Sequence, residues 1–453
     1  MKKQKKTWRL AAAAGLLWLA GTLPAQGQLS PLHVEGRYLV TAEGERINMH
    51  GFCQTYSPWF NEQGSKWSNY DVAGCLAYNM GIIDGILAAG WKVDFVRMHM
   101  DPYWSNTPGK QVSGESDISA FSMTRFKTYL AEVFIPMAEF AVSKGLYVVM
   151  RPPGVCPETI SPGDAYQAYL KRVWGYVATR SKLKRNGCIL FELANEPVRM
   201  VLANGAAASG KDVTEYFQAV VDTLRSGGCT NVLLVPGLGW QSQYKDYARY
   251  PISDSNYGYA IHCYPGWYNG GWGGDGDVSV SYTGFKSGWA EQIEPVAKTN
   301  PIVVTEMDWA PKKYNSSWGK SVTGVAGGMG FGANFRKLCD DTGNVSWVLF
   351  TDGNLLADYD DAAPDGATFL TDPQACPRPC YRWFQYYATE EYRRSVNPQL
   401  SSVSVQLSTV APSSAVYDLC GRRVAAGEMG ANGLARGVYI IRGRKYLARG
   451  YRK

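Results

Sequence analysis

The chain has 453 residues, a length that suits one large domain with an appendage, and its 45% apolar content can fill a sizeable core. A formal net charge of +7 would ordinarily suggest a nucleic-acid partner, but the excess sits at the two ends. The first ten residues hold five Lys or Arg and no acid, residues 399–453 hold nine against two acids, and the rest holds 32 basic and 37 acidic residues. That distribution argues against nucleic-acid binding.

In chain order, residues 1–27 read as a secretory signal. A basic start is followed by an apolar run over 10–24, too short for a comfortable membrane span, and by small residues at Ala25-Gln26-Gly27. No later stretch is apolar enough to span a bilayer. Short apolar runs rich in β-branched residues then recur at 47–52, 95–99, 146–150, 189–194, 232–235, 260–264, 302–305 and 345–350. Most lie roughly forty to fifty residues apart, which leaves room for a loop and a helix in each interval. Phe126, Tyr129, Leu130, Val133 and Phe134 fall at helical spacing, as do Tyr166, Tyr169, Leu170 and Val173. Asp212 is placed to cap a helix that runs through Phe217 and Val221 to Gly227. Eight strands alternating with helices predict an α/β fold, a closed (β/α)8 TIM barrel over 28–397. An open doubly wound sheet would want a glycine-rich turn after its first strand, and Gly51-Phe52-Cys53-Gln54 does not supply one.

After about Asn397 the texture changes to Ser, Val, Gln, Pro and Ala, so 398–453 is expected to be a linker and a small C-terminal β module. The ten cysteines are irregularly spaced, with Cys376 and Cys380 the only close pair. With no second pair to complete a zinc site, disulfides are expected, that pair first. The four histidines form no metal signature, and no glycine loop for phosphate stands out, so neither metal nor cofactor is expected.

Two segments carry the chemistry. In Phe191-Glu192-Leu193-Ala194-Asn195-Glu196-Pro197 an apolar strand ends on Asn-Glu-Pro, and the proline forces a loop. In Ile302-Val303-Val304-Thr305-Glu306-Met307 a second apolar strand delivers a glutamate at its end. Counted from the first run these are strands four and seven, and their C-terminal ends form the catalytic face of such a barrel. Glu192 shares the strand parity of Glu196 and reads as a buried structural carboxylate. Arg97 and His99 share one face of strand two, and His262 and Tyr264 one face of strand six.

With these residues in view, the chain resembles glycoside hydrolase family 5 over roughly residues 30–395. The resemblance implies a retaining mechanism with Glu306 as nucleophile and Glu196 as acid/base. It further implies that Arg97 holds the nucleophile ionised, that Asn195 binds a sugar 2-hydroxyl, and that His262 and Tyr264 contact the two carboxylates; His99 joins them as a candidate binding residue. A negative Glu306 beside Glu196 would keep the proton of the acid in place until the glycosyl ester removes that charge. Two departures stand out. Strand three ends Met150-Arg151-Pro152-Pro153-Gly154 where relatives carry a histidine, and the tryptophan expected after strand eight is represented only by Trp347, early in its strand. The glycine- and aromatic-rich segment 265–272 is expected to wall the cleft. The implied activity is cleavage of β-linked polysaccharide or oligosaccharide, endo-β-1,4-glucanase first and β-mannanase second, by a monomer. The last fifty or so residues resemble the sorting domain of proteins exported by the type IX secretion system of Bacteroidetes, implying contact with that machinery and a secreted or cell-surface location.

Overall fold

The computed structural model describes residues 29–54, 59, 70–264, 267–269, 282–307, 331–350, 353–362 and 378–398, and four short strands beyond them. Eight parallel strands close into a barrel. They are β1 (His50–Cys53), β2 (Phe95–Met98), β3 (Tyr147–Met150), β4 (Ile189–Glu192), β5 (Leu233–Pro236), β6 (Tyr257–Cys263), β7 (Ile302–Met307) and β8 (Val345–Phe350). Each overlaps one of the eight apolar runs. The barrel closes where β8 pairs with β1, from Trp347 opposite His50 to Phe350 opposite Cys53.

Strand alternation sorts side chains into two cores. Inside the barrel, Phe95, Tyr147, Val149, Leu190, Leu234, Ala260, Val303 and Val348 form one buried cluster. Outside it, Val96, Met98, Val148, Phe191, Val235, Ile261 and Val304 meet the surrounding helices in the larger cluster. A small antiparallel sheet of Leu32–Glu35, Tyr38–Thr41 and Arg46–Ile47 plugs the N-terminal end, packing Leu32 and Leu39 on the interior cluster. The opposite end, where the strands stop, is left for chemistry.

Between β2 and β3 the helical pattern is realised as Met123–Tyr129 and Ile135–Ser143, joined by a π turn over Leu130–Phe134. Pro136, with no N–H to give, sits in the first turn after it. Ala165–Val177 follows β3 and buries Tyr166, Tyr169, Leu170 and Val173 as expected. Gly210–Ser226 buries Val213, Phe217, Val220, Val221 and Leu224 along one stripe. Its cap is Ser209 rather than Asp212. The Ser209 hydroxyl accepts from the Asp212 backbone N–H while the Asp212 carboxylate accepts from that of Ser209, a reciprocal capping box. Among the described residues, no helix is long and apolar enough to cross a membrane.

The cysteines correct the disulfide expectation in part. Cys53, Cys75, Cys156, Cys188, Cys229, Cys263 and Cys339 are buried free thiols. Burial pushes Cys53 and Cys75 up to about 12, so both stay protonated and inert. The pair at 376 and 380 cannot be compared, because Cys376 lies outside the described residues. So do residues 1–28. Near the C-terminus, Arg423–Ala425, Val416–Asp418, Gly437–Ile441 and Arg444–Ala448 pair in that order as an antiparallel sheet.

Trp347 is a core residue. It is fully buried, with ring centroids 5.5 Å from His50, 5.5 Å from Phe335 and 5.3 Å from Phe384, all edge-on. Its strand position points it away from the barrel interior and so from the cleft. Trp347→Ala should therefore cost about 3–5 kcal/mol of stability, the range for deleting a buried tryptophan. Chemical denaturation measures this, and a variant of unchanged stability with weakened ligand binding would place the indole in the cleft instead.

Candidate active site

The site grows from the barrel interior toward the C-terminal ends of the strands. Arg97 on β2 is fully buried and reaches across the barrel with every nitrogen engaged. Its Nε and Nη2 donate to Glu192 Oε2 and Oε1 on β4 at 2.7 and 3.0 Å. Nη1 donates to Glu306 Oε1 at 2.6 Å, and Nη2 also to Asn195 Oδ1 at 2.5 Å. The planar fork of arginine makes such a multidentate arrangement possible; a lysine could not reproduce it. With Oδ1 of Asn195 taken, what its amide offers the cleft is the Nδ2 donor pair.

Glu306 reaches this position through an irregularity in β7. Ile261 lies opposite Val304, yet His262 lies opposite Glu306, so Thr305 is an extra residue with no partner on β6. Strict alternation would send Thr305 inward and Glu306 outward. With the bulge both face the interior: Thr305 Oγ1 donates to Glu192 Oε1 at 3.0 Å, and Glu306 meets Arg97. The Tyr264 hydroxyl donates to Glu306 Oε2.

Glu196 sits beyond the end of β4 with φ at +56°, a left-handed conformation that residues with a Cβ adopt at a cost of roughly 1–3 kcal/mol. That conformation turns its backbone N–H to the Gln241 side chain, which accepts at 2.7 Å. The carboxylate is then within reach of His262. Imidazole Nδ1 lies 3.0 Å from Glu196 Oε1 and 3.4 Å from Glu306 Oε2, bridging the two glutamates, while Nε2 is 3.7 Å from Glu192 Oε1, an ion-pair rather than a hydrogen-bond separation. One carboxylate oxygen from each glutamate and a ring nitrogen of His262 all fall within 4.8 Å of one another. Glu196 is the more open, with 22% of its side chain accessible against 8% for Glu306.

The electrostatics follow from this packing. Burial alone would raise the Glu192 carboxyl, but the charge of Arg97 and its hydrogen bonds outweigh burial and hold Glu192 far below the usual range. Burial likewise opposes charge on Glu306, and His262, Arg97 and the Tyr264 hydroxyl overcome it, so Glu306 is also lowered. For His262, burial disfavours the imidazolium, but the negative Glu306 and the contacts with Glu192 and Glu196 prevail and raise it to about 9. Two buried cations thus face two buried anions, with Glu196 at the open side.

Six of the seven residues expected from the sequence converge here: Glu196, Glu306, Arg97, Asn195, His262 and Tyr264. His99 does not share a hydrogen bond with either catalytic candidate. Its Nδ1 is 3.0 Å from Arg151 Nη2, and Arg151 is itself anchored on the carbonyl oxygens of Gly154 (2.6 Å) and Pro152 (3.3 Å). Burial, then Arg151 and Arg97, holds His99 well below its ordinary value, so it is neutral. Arg151, at the end of strand three, thus engages the strand-two histidine. In the segment after β6, Trp267 is half-buried with its ring 5.1 Å from that of Tyr264. Tyr268 turns inward instead of walling the cleft, stacking on Phe285 and donating to the His262 carbonyl at 3.2 Å. Trp272 lies outside the described residues. Gln241 and Thr305 escaped the sequence reading, since neither belongs to a catalytic residue type.

A closed parallel barrel with paired glutamates at the C-terminal ends of its fourth and seventh strands, braced by a buried arginine and histidine, defines a (β/α)8 protein with an acid/base-capable carboxylate pair. A family model for cellulases, glycosyl hydrolase family 5, matches residues 41–324, well over half the chain, and the protein belongs to that family. It is 24% identical over 257 residues to Endoglucanase 5 of Pectobacterium carotovorum subsp. carotovorum, covering 54% of this chain but 40% of that relative. It is 25% identical over 338 residues to cellulase CelDZ1 of Thermoanaerobacterium sp, covering 72% of this chain and 71% of the relative. Among solved structures, β-glucanase SdGluc5_26A of Saccharophagus degradans in complex with cellotetraose aligns with a TM-score of 0.54 at 15% identity, over 83% of this chain and all of that one, a likeness of fold.

The charge on His262 has a consequence for pH. A histidine whose folded-state value is raised above 6.5 contributes stability that is complete below pH 6.5 and fades as pH rises through about 9. The denaturation midpoint of the protein, minus that of His262→Asn, should therefore shrink between pH 6.5 and 10. A difference that stays constant across that window would mean that His262 is not charged in the folded protein.

Proposed function

We propose that the protein is a retaining β-glycosidase acting on β-linked glucan, foremost an endo-β-1,4-glucanase, with Glu306 as nucleophile and Glu196 as acid/base. The observation that carries this is the spacing of the two glutamates. Retaining enzymes hold their carboxyl groups about 5–5.5 Å apart so that one can attack directly, whereas inverting enzymes need roughly 6.5–9.5 Å to admit a water. One oxygen of each glutamate lies within 4.8 Å of the other, a close approach that supports direct attack rather than an interposed water.

The chemistry proceeds in two balanced halves. A Glu306 oxygen attacks the anomeric carbon while the bond to the leaving sugar breaks. The departing oxygen keeps the bonding electron pair and takes the proton of Glu196. Arg97 and Tyr264 hold Glu306 ionised and aimed, and Glu196, on the open side of the site, is placed to give its proton to the leaving oxygen. Esterification then removes the charge of Glu306. Glu196, now a carboxylate, takes a proton from water, whose oxygen attacks the anomeric carbon and releases Glu306. Asn195, through its free donors, is suited to the sugar 2-hydroxyl. The names of the endoglucanase and cellulase relatives and the cellotetraose bound by the β-glucanase support glucan as the substrate class. The signal-like residues 1–27 and the sorting-like tail at 398–453 support export to the cell surface or beyond, and we take the exported enzyme to be a monomer.

The test is release of reducing sugar from soluble β-glucans, β-mannans, xyloglucan and xylans by the wild type, Glu196→Gln and Glu306→Gln. Activity on β-1,4-glucan should fall at least about 100-fold in each variant, the scale of a lost general acid or nucleophile. Preference for mannan would change the sugar assigned, and activity surviving Glu306→Gln would remove Glu306 from the nucleophile role.

A further inference from the structure

We propose that Gln241 is a positioning residue for the acid/base: its side-chain amide sets the height and aim of Glu196, and so controls proton transfer to the leaving group. The inference rests on the assignment of Glu196 as acid/base. Gln241 is fully buried, and one end of its amide meets each half of the site. Oε1 accepts the Glu196 backbone N–H at 2.7 Å, while Nε2 donates to Glu192 Oε1 at 3.0 Å and to the Ala260 carbonyl at 3.1 Å. The orientation of the amide follows from its partners. The ionised Glu192 and a carbonyl can only accept, so Nε2 must face them and Oε1 must face the N–H.

Gln241 therefore links the acid/base to the carboxylate that grips Arg97, which in turn grips Glu306. The connection matters because Glu196 lies past the end of its strand, in a left-handed conformation that no ladder hydrogen bond maintains. The Gln241 amide supplies the missing acceptor. Its own backbone is fixed in the same way. Gly239, Trp240 and Gln241 are three successive left-handed residues, with φ of 61°, 55° and 60°. The Gly239 and Trp240 N–H groups donate to the carbonyls of Val198 and Pro197 at 2.9 and 3.0 Å. The turn after β5 and the loop after β4 are thus stitched together on both sides of Glu196. Glu192 Oε1 keeps Arg97 and Thr305 as donors without Gln241, so the loss of Gln241 falls chiefly on the general acid, which matters only when the leaving group needs a proton.

The experiment measures kcat/KM, which reports the glycosylation step, for wild type, Gln241→Leu and Gln241→Glu on two substrates. One is a cellooligosaccharide, whose leaving alcohol needs the acid; the other is a dinitrophenyl β-cellobioside, whose leaving group departs without it. Gln241→Leu should lose about 10- to 100-fold on the cellooligosaccharide, a fraction of what a general acid contributes, and no more than about threefold on the aryl glycoside. Gln241→Glu keeps an acceptor for the Glu196 N–H and can donate to Glu192 only when protonated. Its activity on the cellooligosaccharide should therefore recover toward wild type as pH falls, which covers the case in which the leucine variant folds poorly. Equal losses on both substrates, or a glutamate variant whose ratio to wild type is independent of pH, would overturn the role of Gln241. A wild type inactive on both substrates would instead overturn the glucanase reading on which the inference rests.

Discussion

The active site depends on one buried guanidinium. Arg97 is placed among carboxylates far from water, where an unpaired charge would be prohibitive and a paired one is held by geometry. It spends its donors on Glu192, Glu306 and Asn195, so three strands are registered against each other through a single side chain. Glu192 does no chemistry in this arrangement. It is the counter-charge that lets Arg97 stay inside the barrel, and it collects Thr305, Gln241 and the neighbourhood of His262 around itself. Removing Glu192 would leave a buried cation uncompensated, and the aim of Glu306 would be lost with it.

Around this centre, both glutamates are delivered by departures from regular geometry. The extra residue in β7 turns Glu306 to the same side as Thr305, and a left-handed residue turns Glu196 back over the barrel mouth. Regular strands alone would have pointed one carboxylate into the helical shell and carried the other past the site. The energy stored in the Glu196 backbone is sustained by surrounding hydrogen bonds, which is where strain in a folded chain is expected to collect.

Much of this was legible in the sequence. The eight strands declared themselves as apolar runs at near-regular spacing, because a parallel barrel buries both faces of each strand. Arg97, His262 and Glu192 were placed correctly by strand parity, since each lies within a regular stretch. Parity could not place Glu306, because no residue in Val303-Val304-Thr305-Glu306 announces a bulge; its role came from its position at a strand end. Trp347 was ambiguous in sequence for a related reason: an aromatic in a barrel strand serves the core or the cleft depending on a facing that only the paired register reveals. His99 shares a face with Arg97, yet Arg151, just past the end of β3, engages its Nδ1. Gln241 was invisible because a glutamine after an apolar strand is an ordinary turn residue until its amide is seen between Glu196 and Glu192. Sequence periodicity reports which way a regular element faces, and the chemistry here lies where elements stop being regular.

The central claim is that Glu306 attacks the sugar directly, with Glu196 protonating the leaving oxygen from close by. The stereochemistry of hydrolysis tests it most directly. Proton NMR of a cellooligosaccharide digest, recorded before mutarotation equilibrates the products, reads the anomer that forms first. Two displacements at one carbon return the β-anomer, and that is the expected result. An initial burst of α-anomer would show a single displacement by water, and would contradict the account.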